Sequence, residues 1–260
     1  MANVVAIKKD QHKNLKLAEK RTLSHIENQH IAPISAGEYA KASSNFPVVF
    51  VKEPDATRYR SVVMLGLEAG ENLFYRDAKW QGLYMPQSLT VSPFSIGLDP
   101  EIENTLTTCI DIDSPLVGED KELPLYDDEG SETEMYKSVQ QSLGRIYDNE
   151  VMTDKFINEL VAKELLFELE LRLQDSQGQT KKLVGIYTIN EKKLSSLDDE
   201  TVLDFHKRGL FIPIHAMLSS LSQINRLCKI RNEYTEQKLT NVQIAPAQKE
   251  KSEAAETATA

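Results

Sequence analysis

The stretch "LFELELRLQDSQGQTKKLVGIYTI", residues 166–189, decides the fold class. In its first half Phe167, Leu169, Leu171 and Leu173 alternate with Glu168, Glu170 and Arg172. A period of two is that of a strand with one apolar and one wet face. "DSQGQ" is turn chemistry, and "KKLVGIYTI" returns as the partner strand. The flanks read differently. Upstream, "EMYKSVQQSLGRIYDN" predicts a helix, and Thr153 is placed to cap a second one. In that second helix Phe156 and Leu160 form one row while Ile157, Val161 and Leu165 form another. Downstream, "DDETVLDFHKRG" predicts a short helix ended by Gly209. Pro213 begins a longer one along which Ile214, Met217, Leu218, Leu221 and Cys228 keep helical spacing. A hairpin with one apolar face needs such helices as cover, so the class is α+β, with C-terminal helices packed on a β-hairpin. The hydroxyls of Ser219, Ser220 and Ser222 are expected to face solvent or a partner.

Before the helices the chain reads mainly as strands. "SAGEYAKASS" opens with Ser35 and Glu38 three residues later, a capping box. "FPVVFV", "SVVMLGL", "NLFY", "AKWQGLYM", "PFSIGL" and "LTTCIDID" then follow as short apolar or aromatic runs. Their succession predicts a small curved antiparallel sheet or partial barrel. The expected organisation is an N-terminal segment, 1–30, partly ordered; a mainly β region, 31–130; an α+β region, 131–235, packed on it; and a disordered tail, 236–260. The tail is clearest from Pro246, where large apolar residues cease.

Composition excludes several classes of function. The net charge is −10, although the first 25 residues carry six Lys or Arg, and a chain of this sign repels phosphate backbones. No nucleic acid is therefore expected as partner. No apolar run approaches the roughly 20 residues that span a bilayer. "MANVVAIKKDQHKNLKL" has no secretory h-region, so a cytoplasmic location is expected, with signal-less export to the cell surface as the competitor. Cys109 and Cys228 form no CxxC and read as reduced, buried or half-buried thiols.

No catalytic constellation emerges. His12, His25, His30, His206 and His215 are scattered, with no HxH or HExxH spacing, so no metal and no cofactor is expected. "DIDSP" and "DDEG" lack the spacing of a calcium loop, and "GLEAGEN" lacks the Lys-Ser/Thr of a phosphate loop. The aromatic cluster in "NLFYRDAKWQGLYMP" stays open to two readings, core filler or ligand wall. Trp80 and Tyr84, four apart, would share a face in a strand, and each carries a polar end. His30, Trp80, Tyr84 and His215 are the candidate ligand- or partner-binding residues.

Several separated motifs resemble the SapC family: "HIAPISAGEYAKASSNFPVVFVK", "LGLEAGENLFY", "KWQGLYMPQSLTVSPF", "CIDIDSP" and "GIYTINEKKLSSLDDETVLDFHKRGLFIPIHAMLSSLSQINRL". The similarity runs from about residue 12 to 232. It implies a bacterial accessory protein linked to surface layers or outer-membrane uptake systems, non-catalytic and acting on a protein or peptide partner. The alternative is an enzyme acting on peptide or sugar, with its pocket at His30, Trp80 and Tyr84. One departure stands out: "QSLTV" occupies the place where many relatives carry two Arg, which puts an anion contact there in doubt.

Overall fold

A computed structural model of the chain describes residues 3–20, 22–53 and 58–247. Among these residues the strands form four antiparallel sheets. β1 (Val4–Ala6), β9 (Leu106–Asp111) and β8 (Phe94–Leu98) lie in that order in one. β2 (Lys16–Leu17) runs between β10 (Val117–Gly118) and β11 (Leu123–Pro124). β6 (Tyr75–Arg76) and β7 (Lys79–Trp80) make a short hairpin. The main sheet has six strands: β3 (Ile31–Pro33), β4 (Val48–Lys52), β5 (Tyr59–Met64), β12 (Leu166–Asp175), β13 (Thr180–Ile189) and β14 (Leu239–Pro246). Their order is β14-β12-β13-β4-β5-β3, so strands from both halves of the chain share one sheet, and no sheet closes into a barrel.

The first three helices are each a single turn: α1 (Lys9–His12), α2 (Tyr39–Ala42) and α3 (Gln87–Thr90). Then come α4 (Glu134–Ala162), α5 (Glu191–Leu194), α6 (Asp199–Lys207), α7 (Phe211–Ser220) and α8 (Gln223–Tyr234). At 29 residues α4 is about 43 Å long at 1.5 Å per residue. It joins two apolar clusters. Its first turns give Tyr136, Val139 and Leu143 to a cluster with Leu17, Phe94, Ile110 and Leu125. Its last turns give Phe156, Ile157 and Leu160 to the larger cluster around Phe46, Phe50, Leu171 and Met217. The α+β class stands, and α7 packs on β13 and β4 while α8 packs on β14.

Several sequence expectations need correction. Thr153 caps nothing: α4 is continuous, Thr133 is its N-cap, and the Thr153 hydroxyl donates to the Asn149 carbonyl at 2.7 Å. The expected long helix from Pro213 is two, α7 and α8. The Ser220 and Ser222 hydroxyls bond back to the Met217 and Ser219 carbonyls there, which competes with helical continuation. Ser220 is fully buried rather than solvent-facing, because its Oγ accepts the Val48 N–H at 2.8 Å and ties α7 to the main sheet.

The 236–260 tail is corrected for residues 239–246, which form β14; "LTNVQIAP" pairs along β12 through Val242 and Ile244 opposite Leu173 and Leu171. Residues 248–260 lie outside the described residues. Because β14 makes β12 an internal strand, the wet face expected there is partly roofed over. Glu170 is buried, with Arg172 and Lys182 closing on its carboxylate. The hairpin also carries a bulge: Leu169 pairs with Ile186 but Leu171 with Leu183. Gly185 absorbs the extra residue at φ +77° and donates its N–H to Glu168 Oε1 at 2.9 Å.

Candidate functional site

A cleft of about 530 Å³ opens where α4 passes from one apolar cluster to the other. That volume lies in the usual range for ligand sites. One wall is α4, through Leu143, Ile146, Tyr147 and Glu150; opposite it runs the whole of β8, with Pro33 to Ser35 behind. The lining is mostly apolar, and its rim exposes Leu98, Leu106 and Tyr147, which are 71%, 43% and 39% accessible.

The backbone of β8 gives the cleft its character. Thr108 faces β1, since its carbonyl accepts the Ile7 N–H at 2.9 Å. On the other side, Asp111 N donates to Pro93 O at 3.0 Å and Asp99 N to Thr105 O at 2.7 Å. Bonding residues alternate along an antiparallel strand, so Ser95 and Gly97 are bonded to β9. The N–H and C=O groups of Ile96 and Leu98 therefore point the other way, toward the cleft. Among the described residues they take no partner. Phe94 is half committed: its N–H donates to Val91 O. β8 is thus an edge strand whose unpaired side faces a lined groove.

Glu38 fixes the far wall. The capping box forms as the sequence predicts, with Ser35 N and Oγ donating to Glu38 Oε2 at 3.1 and 2.8 Å. The other carboxylate oxygen accepts the Tyr84 hydroxyl at 2.6 Å and the Gln87 N–H at 3.0 Å. One buried carboxylate so ties the 35–38 turn to the 84–87 stretch. Burial, then the hydrogen bond to Glu38 and the Glu38 charge, push the Tyr84 phenol well above its ordinary range. Burial does the same to Tyr39, which donates to Ser61 Oγ at 2.5 Å. Nearby, Thr153 Oγ1 accepts the Ala36 N–H at 2.8 Å, and Arg58 pairs with Asp154 at 3.0 Å.

None of the four residues singled out in the sequence lines this cleft. Trp80 and Tyr84 do meet, but not as same-face residues of one strand: Trp80 ends β7, the chain bends back after it, and Trp80 Nε1 donates to the Tyr84 carbonyl at 2.9 Å. A side chain on Gly82 would come within 2.8 Å of that indole nitrogen, so the turn needs the glycine. The indole leans on Phe46 and Phe74, each 5.9 Å away, at the margin of the main core. His30 is half-buried, and its carbonyl accepts the N–H groups of Leu65 and Gly66. His215 is exposed on α7, stacked on Phe211. Among the described residues no three His, Cys, Asp or Glu side chains stand close enough to hold a metal ion. Burial raises the Cys109 thiol, and raises Cys228 to about 11, so neither is a ready thiolate at neutral pH.

Fold and cleft define a class: an α+β protein with an open strand edge set beside a long helix. No helix among the described residues is long and apolar enough to cross a membrane. The SapC family model matches residues 7–227, and the chain belongs to the SapC family. No curated protein and no solved structure matches it.

Proposed function

We propose that this protein is a non-catalytic binding protein that takes an extended segment of a partner protein into the cleft as an added strand on β8. The observation that carries the reading is the outward-facing, unpartnered backbone of Ile96 and Leu98 inside a lined groove. Strand addition draws affinity from main-chain hydrogen bonds and specificity from pockets for alternate side chains. Here Ile146, Tyr147 and Leu106 offer apolar contacts for every second residue, and the exposed Glu150 favours a cationic residue at one end. β8 spans about 17 Å at roughly 3.3–3.4 Å per residue, enough to register a short peptide. An enzymatic pocket at His30, Trp80 and Tyr84 draws less support. Trp80 spends its N–H on Tyr84, and Tyr84 its hydroxyl on Glu38, so neither offers a free donor to a substrate.

Family membership suggests a partner from a surface-layer or outer-membrane uptake system. It is met in the cytoplasm, or at the cell surface if the chain is exported without a signal; external protease on intact cells separates the two. The binding itself is tested by selecting peptides from a random library on the immobilised protein. The expected peptides alternate apolar residues, lose binding to Leu98→Pro, and keep most of it with Leu98→Ala. Leu98 is exposed and its N–H points outward, so proline there removes a donor to the partner without breaking the ladder to β9. Peptides that bind Leu98→Pro as well as wild type, or a library that yields none, would sink the reading.

A further inference from the structure

The six-stranded sheet ends in two edges, and they are built differently. At β3 the groups bonded to β5 belong to His30 and Ile34, through Leu65 N to His30 O and Ile34 N to Ser61 O. By alternation Ile31 and Pro33 face outward. Pro33 has no N–H, and its carbonyl accepts the Ser88 hydroxyl at 2.7 Å, so that edge is closed. β14 is the opposite case. Edge strands are ordinarily guarded by charged side chains, proline or short length, because a free ladder recruits another strand. From Leu239 to Ala245 β14 has no charge and no proline, and five of its eight residues are exposed. Ala247 N donates to Glu168 O, so by alternation Ala245, Gln243 and Asn241 bond to β12. Val242 and Ile244 therefore turn their N–H and C=O groups outward, where they take no partner among the described residues. On the core face Ile244 stands across from fully buried Leu171 yet is itself 40% exposed, and Val242 is half-buried. The apolar core runs out to this edge without a cover.

We infer that a second copy of this chain pairs with β14, antiparallel about a two-fold axis, so that two sheets join into one. Such a contact sets a strand against itself, and a neutral strand tolerates this because no charge meets its own like. Copies of a chain with net charge −10 repel overall, so they can meet closely only along a strip of this kind. In a register centred on Gln243, Val242 of each copy lies opposite Ile244 of the other. Both outward residues then exchange N–H and C=O bonds across the axis, and their apolar side chains cover each other. Because the β3 edge is closed, the pairing stops at two copies and does not propagate into a filament. The inference uses a different strand from the β8 cleft and stands independently of it.

Two measurements on the full chain test it. At the axis the two Gln243 residues form a non-hydrogen-bonded pair with Cα atoms about 4.5 Å apart, within disulfide reach. Gln243→Cys should therefore give a disulfide-linked dimer on air oxidation. Asn241→Cys should not, because its two copies lie roughly 13 Å apart along the strands. Cys109 and Cys228 are buried and supply no competing cross-link. Sedimentation velocity from micromolar to submillimolar protein should show the wild type passing from monomer to dimer. Gln243→Lys and Gln243→Glu each oppose like charges at the axis and should weaken association by about fivefold, and an equimolar mixture of the two should restore it. Gln243 is exposed, so its replacement leaves the core untouched. A wild type that stays monomeric throughout, growth beyond the dimer, equal cross-linking at 241 and 243, or a mixture no tighter than either variant alone would each overturn the inference.

Discussion

β12 and β8 are both antiparallel strands with one face in a core, yet they are used in opposite ways. β12 lies between β13 and β14, so hydrogen bonding on both its edges is spent inside the protein. Its Leu169, Leu171 and Leu173 are buried, and even its outward Glu170 is covered. β8 has β9 on one side and the cleft on the other. Natural proteins usually shield such an edge, since an unpaired strand recruits other chains. Here α4 and the Glu38 node hold a wall beside the edge and leave its backbone open. The two strands differ in what they leave over: β12 spends both edges inside the six-stranded sheet, whereas β8 keeps one edge open, the edge on which the proposed strand addition rests.

The largest expected effect breaks the stable side. Leu171→Ala should cost about 2–5 kcal/mol in urea melts, as truncation of a fully buried side chain does. Leu98→Ala, on the open side, should change stability by less than roughly 0.5 kcal/mol. Similar costs at both positions would erase the distinction between the strands. Next comes the wall of the cleft. Glu38→Ala orphans the Ser35 and Gln87 N–H groups and the Tyr84 hydroxyl, and should cost about 1–3 kcal/mol by the same melts.

Alkaline pH probes the same wall. Tyr39 and Tyr84 have folded pKa values raised above the ordinary value near 10, chiefly by burial. Their contribution is therefore complete below that value and falls as pH rises toward the folded pKa values, because the unfolded chain ionises first. Urea midpoints should decline above about pH 10, and Tyr84→Phe should decline less steeply than wild type. A smaller effect appears at acid pH. The hydrogen bond from Arg172 holds Glu170 below the usual carboxylate range, so its contribution is present above that range and is lost as pH falls through the lowered folded value. Glu170→Gln should flatten the acid limb of a pH–stability profile without altering the plateau shape near neutrality.

Much of this architecture was legible in local chemistry. Alternation from Phe167 to Leu173 named the hairpin, Ser35 and Glu38 named a capped turn, and Gly209 named a helix end, because each signal acts within a few residues. What depended on distant neighbours was not legible. Ser219, Ser220 and Ser222 look alike in sequence, and only the Val48 N–H distinguishes the buried one. Glu170 reads as solvated until β14, some seventy residues on, turns β12 into an internal strand. The cleft was hidden for the same reason. "PFSIGL" announces a strand but not which of its edges is paired, and nothing local sets it against Tyr147 of α4. The candidates His30, Trp80, Tyr84 and His215 were chosen for their chemistry, whereas the cleft is defined by backbone geometry. Glu38, visible only as a cap, proved to be the link between Tyr84 and that cleft.

Residue-resolved amide hydrogen exchange along β8 tests the account most directly. In the free protein the amides of Ser95 and Gly97, bonded to β9, should exchange slowly, and those of Ile96 and Leu98, facing the cleft, should exchange fast. Adding a library-selected peptide should then protect Ile96 and Leu98 and leave Ser95 and Gly97 little changed. Uniform slow exchange from 95 to 98 in the free protein, or a bound peptide that leaves Ile96 and Leu98 unprotected, would contradict strand addition at this edge.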